Sequence, residues 1–222
     1  MSEVWSDDFL GGGSASGELG DAGWHATVTG AGSFGRIPSE QGHPGIIALV
    51  SGTTAGDRVA MHLGTTVTQG AFAVDDLRAL RSTVRISAIT NGRVRVGLGT
   101  SVSAASWGAN GVYWEWDSAV GPNWRLVCRT ASVNTTVDSG VAPVATEWQT
   151  LGLRRLQGGD WDGLVVTQAG VQTRTAAVAG APASTVLVWG ANVEALAAAA
   201  RTLSVDVMAA RYARAEALAA YL

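Results

Sequence analysis

The chain has 222 residues, a net charge of −3 and only 15% charged residues, and all 15 basic residues are arginine. That length is ample for the core of one large β-sandwich, so neither disulfide nor metal is needed to hold a fold. The absence of a basic run argues against a nucleic-acid partner, no stretch reaches the roughly 18 apolar residues of a membrane span, and the lone Cys128 excludes an internal disulfide or a cysteine-based metal site.

Glycine is abundant (29), proline scarce (5), and no Pro- or Ser-rich linker divides the chain. Residues 1–212 therefore read as one domain and 213–222 as a short C-terminal tail with helix propensity. The opening residues Met1 to Trp5 have no basic stretch leading into an apolar core, so no secretory signal is expected.

Along the chain, short runs alternate polar and apolar residues and are separated by Gly, Asn, Asp or Ser, which is the mark of half-buried strands. Gly45–Val50 and Arg58–Leu63 read as strands bracketing a turn at Ser51–Gly56. Arg81–Ile89 and Arg93–Gly99 alternate on either side of Asn91-Gly92, the preferred pair of a tight hairpin, so they are expected to pair with each other. Val84, Ile86, Val94 and Val96 are the candidates for their inward face. Further strands are predicted at Gly111–Asp117, Trp124–Thr130, Trp148–Leu156, Leu164–Gln168, Ser184–Trp189 and Leu203–Met208. So many short strands without amphipathic helices between them indicate an all-β, antiparallel sandwich or closed barrel. Asn192–Arg201 has strong helix propensity, yet it lies between two predicted strands, and both a helix and a strand hairpin remain open there. Cys128 lies in an alternating apolar run and reads as a buried small hydrophobe.

From Gly111 onward the order of features is distinctive. Gly111-Val-Tyr-Trp-Glu-Trp-Asp117 precedes Asn123-Trp124-Arg125; Thr135-Thr-Val-Asp-Ser-Gly-Val141 then leads to Glu147-Trp148 and, near the end, to Leu203-Ser-Val-Asp-Val207. With Asp7-Asp8-Phe9, Gly23-Trp24 and His43-Pro44-Gly45-Ile46, this resembles the concanavalin A-like lectin/glucanase jelly rolls of tailed-bacteriophage virions. Two segments depart from that pattern: Trp161-Asp162-Gly163 stands where a simple turn is usual, and the Ala-rich 195–200 replaces a Gly-centred hairpin. The resemblance implies a two-sheet jelly roll in which Asp7–Phe9 lies beside the closing strand. It also implies a structural virion protein, either a capsid decoration or a head or tail fibre component, whose partners are other capsid or tail proteins.

Candidate chemistry is thin. Endoglucanases of this fold class carry Glu-x-Asp-x-x-Glu on one strand; here Glu115-Trp116-Asp117 is followed by Val120, so the acid/base is missing and hydrolysis is a remote alternative. His25, His43 and His62 are isolated, with no metal-ligand spacing and no nucleophile elbow, and His43 reads as a turn or hydrogen-bonded structural histidine. Gly30–Gly35 formally matches a dinucleotide fingerprint but lacks the strand–helix unit that would support it. Asp160, Asp162, Asp75 and Asp76 were weighed as calcium ligands against ordinary acidic turns, and no metal or cofactor is expected.

Nine tryptophans are the unusual feature. Trp114 and Trp116 share a strand face and, with Trp161, are candidates for stacking on a host glycan, flanked by the hydrogen-bonding carboxylates of Glu115 and Asp117. A mean hydropathy of +0.19 and the Ala-rich C-terminal segments point to a homo-oligomer, with a trimer expected. The sequence thus leaves a non-enzymatic virion structural protein and a lectin-like receptor-recognition module as compatible readings.

Overall fold

The computed structural model describes residues 2–9, 18–19, 23–64, 72–105, 107–179 and 186–213. The first strands are β1 (Ser2–Asp7), β2 (Glu18–Leu19), β3 (Trp24–Thr29), β4 (Ser33–Ile37), β5 (Ile46–Val50) and β6 (Arg58–Leu63). The middle ones are β7 (Phe72–Ala73), β8 (Leu77–Ile86), β9 (Gly92–Gly99), β10 (Gly111–Asp117), β11 (Arg125–Thr130) and β12 (Val133–Asp138). The last are β13 (Trp148–Arg155), β14 (Trp161–Val166), β15 (Gln172–Arg174), β16 (Val186–Ala195) and β17 (Thr202–Ala213).

They form two antiparallel sheets, a lectin-like jelly-roll sandwich. Sheet A runs β15-β14-β13-β8-β17-β5-β4 with β1 added on β17, and sheet B runs β12-β11-β10-β9-β16-β6-β3-β2 with β7 added on β16. The first and last strands do pair, Asp7 opposite Met208, as the resemblance implies. No helix occurs among the described residues, and none is long and apolar enough to cross a membrane.

Inward-facing alternate residues fill one continuous core. Val84 and Ile86 on β8, Val94 and Val96 on β9, and Leu203 and Val205 on β17 are all at most 4% exposed. At about 25 cal/mol per Å² of apolar surface buried, this core is the main source of stability. Cys128 is among its members, and burial pushes its thiol up to about 12.

The expected pairing of 81–89 with 93–99 is corrected. β8 pairs with β13 and β17 in sheet A, whereas β9 pairs with β10 and β16 in sheet B. Asn91 does adopt a positive φ of 50°, but its turn carries the chain from one sheet to the other. Alternation shows which face of a strand looks inward; it does not show which sheet the strand joins, and both assignments bury the same valines. The turn Ser51–Gly56 is a second crossover, and 196–201 a third. They are stitched together at one end of the sandwich by Ser51 N–Arg201 O (2.9 Å), Gly56 N–Ala195 O (2.8 Å) and Leu196 N–Asn91 O (2.9 Å).

Residues 192–195 therefore extend β16, and 196–201 form neither helix nor hairpin. Packing overrides propensity there: Ala191, Val193 and Ala195 are buried in the core, and Leu203 continues it after the crossover. β17 extends to Ala213, one residue into the predicted tail, and residues 214–222 lie outside the described residues. Trp161-Asp162-Gly163 begins β14, so this departure from the family pattern is strand and not turn.

Candidate functional site

The predicted glycan platform is corrected by burial. Trp114 is 1% exposed, Trp116 2% and Trp161 0%, so none offers an open ring face to a sugar. All eight tryptophans whose side chains are described are buried, Trp148 the least so at 7%. The same alternation that puts Trp114 and Trp116 together puts them inward, because β10 is the strand whose inner face meets sheet A. Quenching of indole fluorescence by a stacked sugar is accordingly not expected.

Glu115 and Asp117 lie on the opposite, outer face of sheet B, where the register places each beside arginines. Glu115 stands between Arg95 on β9 and Arg125 on β11; Asp117 stands beside Arg93, which in turn faces Glu194 on β16. Arg95 Nε donates to Glu115 Oε2 at 2.7 Å and Arg125 Nη2 to Glu115 Oε1 at 2.7 Å. Arg93 donates to Asp117 at 2.7 Å and to Glu194 at 3.0 Å. Burial pulls the Arg93 guanidinium down, yet the hydrogen bond and charge of Asp117, with Glu194, hold it above its ordinary value. Both oxygens of Glu115 are taken by guanidinium donors. Val120, at the third endoglucanase position, has left the strand and is 61% exposed on the following turn.

Residues 102–104 and 107 of the β9–β10 connection pack on another part of this face. Val102 and Trp107 pack with Tyr113, Val127 and Val188 in a second apolar cluster, and Ala104 N donates to Thr27 Oγ1 at 2.8 Å. Glycine at position 190 makes the seat, since a Cβ there would come within 2.6 Å of Val102 Cγ1 and 2.2 Å of Met61 O. Burial raises the Tyr113 phenol and, helped by the stacked His25 ring, lowers His62.

The outer face of sheet A is different. A trough of about 430 Å³ crosses β8, β13, β14 and β15. Leu164, Val166, Gly152 and Ala79 lie along it, with Arg81, Arg154, Arg174, Gln172 and Thr150 also in its lining. Arg154 donates to Asp162 from Nε at 3.0 Å and also from Nη2, and Arg174 lies 3.5 Å from the same carboxylate. One buried tryptophan of the predicted platform, Trp114, supports this trough from below. Trp114 Nε1 donates to Gly152 O at 2.9 Å, and a Cβ at Gly163 would lie 2.3 Å from the Trp114 ring. Thus Trp114 borders the site from the core side, while Trp161 is a fully buried core residue. Sequence reasoning missed Arg81, Arg154, Arg174 and Gln172, which come from three strands, β8, β13 and β15, far apart in the chain.

Farther along the same face, two segments that the resemblance used independently meet. His43 Nδ1 and Asp206 Oδ2 are 2.7 Å apart, and the His43 ring stacks on Trp148 at 4.1 Å. Arg85 lies over Trp148 at 4.6 Å and donates twice to Glu40 at 2.7 and 2.8 Å. Asp206 sits at a bulge between Val205 and Val207, and burial pushes its carboxyl up against the opposing effect of His43. His43 is a hydrogen-bonded histidine that ties the β4–β5 connection to β17. Asp162 and Asp75, weighed as calcium ligands, are engaged by arginines; Arg155 holds Asp75 at 2.7 Å.

No family model matches the chain, and no curated protein matches it. Solved structures do. A protein of unknown function from Shewanella oneidensis MR-1 superposes with a TM-score of 0.71 at 18% identity, covering 97% of this chain and 90% of that one. The carbohydrate recognition domain of Emp47p gives 0.59 at 14% identity, covering 94% of each chain. A carbohydrate esterase of the Shiga toxin-encoding bacteriophage phi24B gives 0.50 at 16% identity, covering 86% and 91%. These likenesses establish the concanavalin A-like, lectin-type fold.

Proposed function

We propose that this chain is a non-catalytic, lectin-like module that binds a saccharide in the trough of sheet A and is carried on the surface of a tailed-phage particle as a decoration or fibre component. The observation that carries the binding reading is the trough itself. It is an open concavity with an apolar strip along β14 and hydrogen-bonding side chains beside it, which is the composition a sugar ring requires. The Emp47p likeness supports the same reading, since that domain recognises carbohydrate. Against hydrolysis on β10 stands the arginine lock on Glu115 and Asp117, in which both oxygens of Glu115 and one of Asp117 are engaged by guanidinium donors. The phage setting rests on the sequence resemblance, and the esterase of phi24B is a phage protein of the same fold.

The test is a glycan array of neutral and acidic saccharides read with the purified chain, followed by calorimetry and product analysis on the best ligand. Binding without release of reducing ends or acetate is the expected result. Failure to retain any saccharide would overturn the binding reading, and turnover would overturn the non-catalytic one. A hydrolytic second reading has one observation in its favour, the His43–Asp206 pair, and it requires that His43→Ala abolish such turnover. Light scattering coupled to size exclusion addresses the assembly: a trimer fits a virion surface component sealed around a symmetry axis, whereas a monomer would remove the expected homo-oligomer.

A further inference from the structure

We infer that the trough on sheet A selects saccharides that carry carboxylates; this rests on the saccharide-binding reading and adds the charge of the ligand. Arg174, Leu164, Gly152 and Arg81 stand in one row across β15, β14, β13 and β8. The two arginines are therefore three strand spacings apart, about 14 Å, with an aliphatic side chain and a bare glycine between them. Arg154 and Asp162 are cross-strand partners in the adjoining row. Asp162 engages Arg154 through two bonds and Arg174 only at 3.5 Å, while Arg81 is exposed and has no ion pair among the described residues.

Three guanidiniums beside one carboxylate leave this trough positive in a chain whose net charge is −3. The contrast with β9–β11 of sheet B is informative, because there Arg93, Arg95 and Arg125 each have a carboxylate partner at 3.0 Å or closer. Arginine stays protonated at any physiological pH, and its planar fork matches a carboxylate with two parallel bonds. A neutral sugar would use the same donors singly and gain less. An acidic oligosaccharide laid across the strands can place a carboxylate at each end of the row and its ring C–H faces on Leu164.

The test uses trigalacturonate and its methyl ester, which share one sugar backbone and differ at the carboxyl groups in charge and in the added methyl, by calorimetry on the full chain at low and physiological salt. The expected result is binding of the acid that weakens with salt, and at least about tenfold weaker binding of the ester. Arg81→Gln and Arg174→Gln should each weaken the acid by about fivefold or more without changing the melting temperature. Equal affinity for acid and ester would overturn the charge selection and leave saccharide binding standing. Binding of the acid unaffected by either variant would place the site elsewhere and overturn the inference. If neither probe binds while a neutral sugar is retained on the array, the inference alone falls; if nothing is retained, both readings fall.

Discussion

The two outer faces of this sandwich are built from the same kinds of residue and behave as opposites. On sheet B, Arg93, Arg95 and Arg125 are matched to Glu115, Asp117 and Glu194, and Val102 and Trp107 of the β9–β10 connection cover the adjoining region. On sheet A, Arg154 and Arg174 share one carboxylate, Asp162, and Arg81 has no ion pair among the described residues, around an open trough. Charge that is satisfied within the fold gives rigidity, and charge left over is what the proposed recognition would use. The strand that seemed to carry the chemistry, β10, therefore serves structure on both of its sides: its carboxylates lock the ladder outside, and its Trp114 holds the trough's floor from inside.

Trp114 gives the largest way to break this contrast, because it links the faces through the core. Trp114→Ala should cost about 3–5 kcal/mol in a denaturant titration, the range for a buried aromatic that leaves a cavity. It should also abolish binding in the trough, since the indole Nε1 that holds Gly152 O is lost. Unchanged binding in a folded variant would show that the floor does not depend on the core beneath it. Next in size is the ladder. Glu115→Gln removes the charge between Arg95 and Arg125, whose side chains are 20% and 18% exposed, so solvent relieves part of the penalty. A loss of about 1–2 kcal/mol is expected, with saccharide affinity unchanged. A loss of affinity in this variant would move the binding face to sheet B.

The sequence made the class of fold legible, and with it the inner faces of β8 and β9. Val84, Ile86, Val94 and Val96 are inward as alternation requires, and β1 lies against β17. Sheet membership was not legible at Asn91-Gly92, because a turn dipeptide specifies local dihedral angles while crossover or hairpin depends on which partners the flanking strands find. The segment 192–201 misled through its alanines, whose helix propensity is outweighed where β16 carries Ala195 into a core position and the chain then crosses between sheets. The candidate site failed for a related reason. Trp114, Trp116 and Trp161 are conspicuous in composition, and aromatic character alone cannot distinguish a stacking platform from core. The trough's arginines come from β8, β13 and β15, so only the register brings them together.

A smaller effect separates the closed face from the open one by pH. His62 lies on sheet B with its proton affinity lowered, first by burial and then by the neighbouring His25, while a backbone contact at Gly64 opposes the shift. The unfolded chain takes up that proton near the ordinary value of 6.5, and the folded chain resists it. Stability contributed by neutral His62 is thus present above that pH and lost as pH falls below it. Thermal melts between about pH 7.5 and 5.5 should show stability declining, and His62→Gln should flatten the decline. Asp206 works in the opposite sense, since burial raises its carboxyl and its charged form is the costly one, so the difference between wild type and His62→Gln is the quantity to read. An identical slope in the variant would show that His62 does not titrate against the fold.

The smallest stability effect tests the contrast most sharply. Arg81 is exposed and unpaired among the described residues, so Arg81→Gln should change stability by no more than about 0.5 kcal/mol, as surface substitutions away from specific interactions do. Its counterpart on sheet B, Arg95→Gln, removes a 2.7 Å partner from the buried Glu115 and should cost about 1–2 kcal/mol while leaving saccharide affinity alone. The pair forms a double dissociation: one variant that folds normally and loses ligand, and one that keeps ligand and loses stability. Were both to lose stability alike, the arginines of sheet A would be structural after all, and the trough would have no surplus charge with which to choose its ligand.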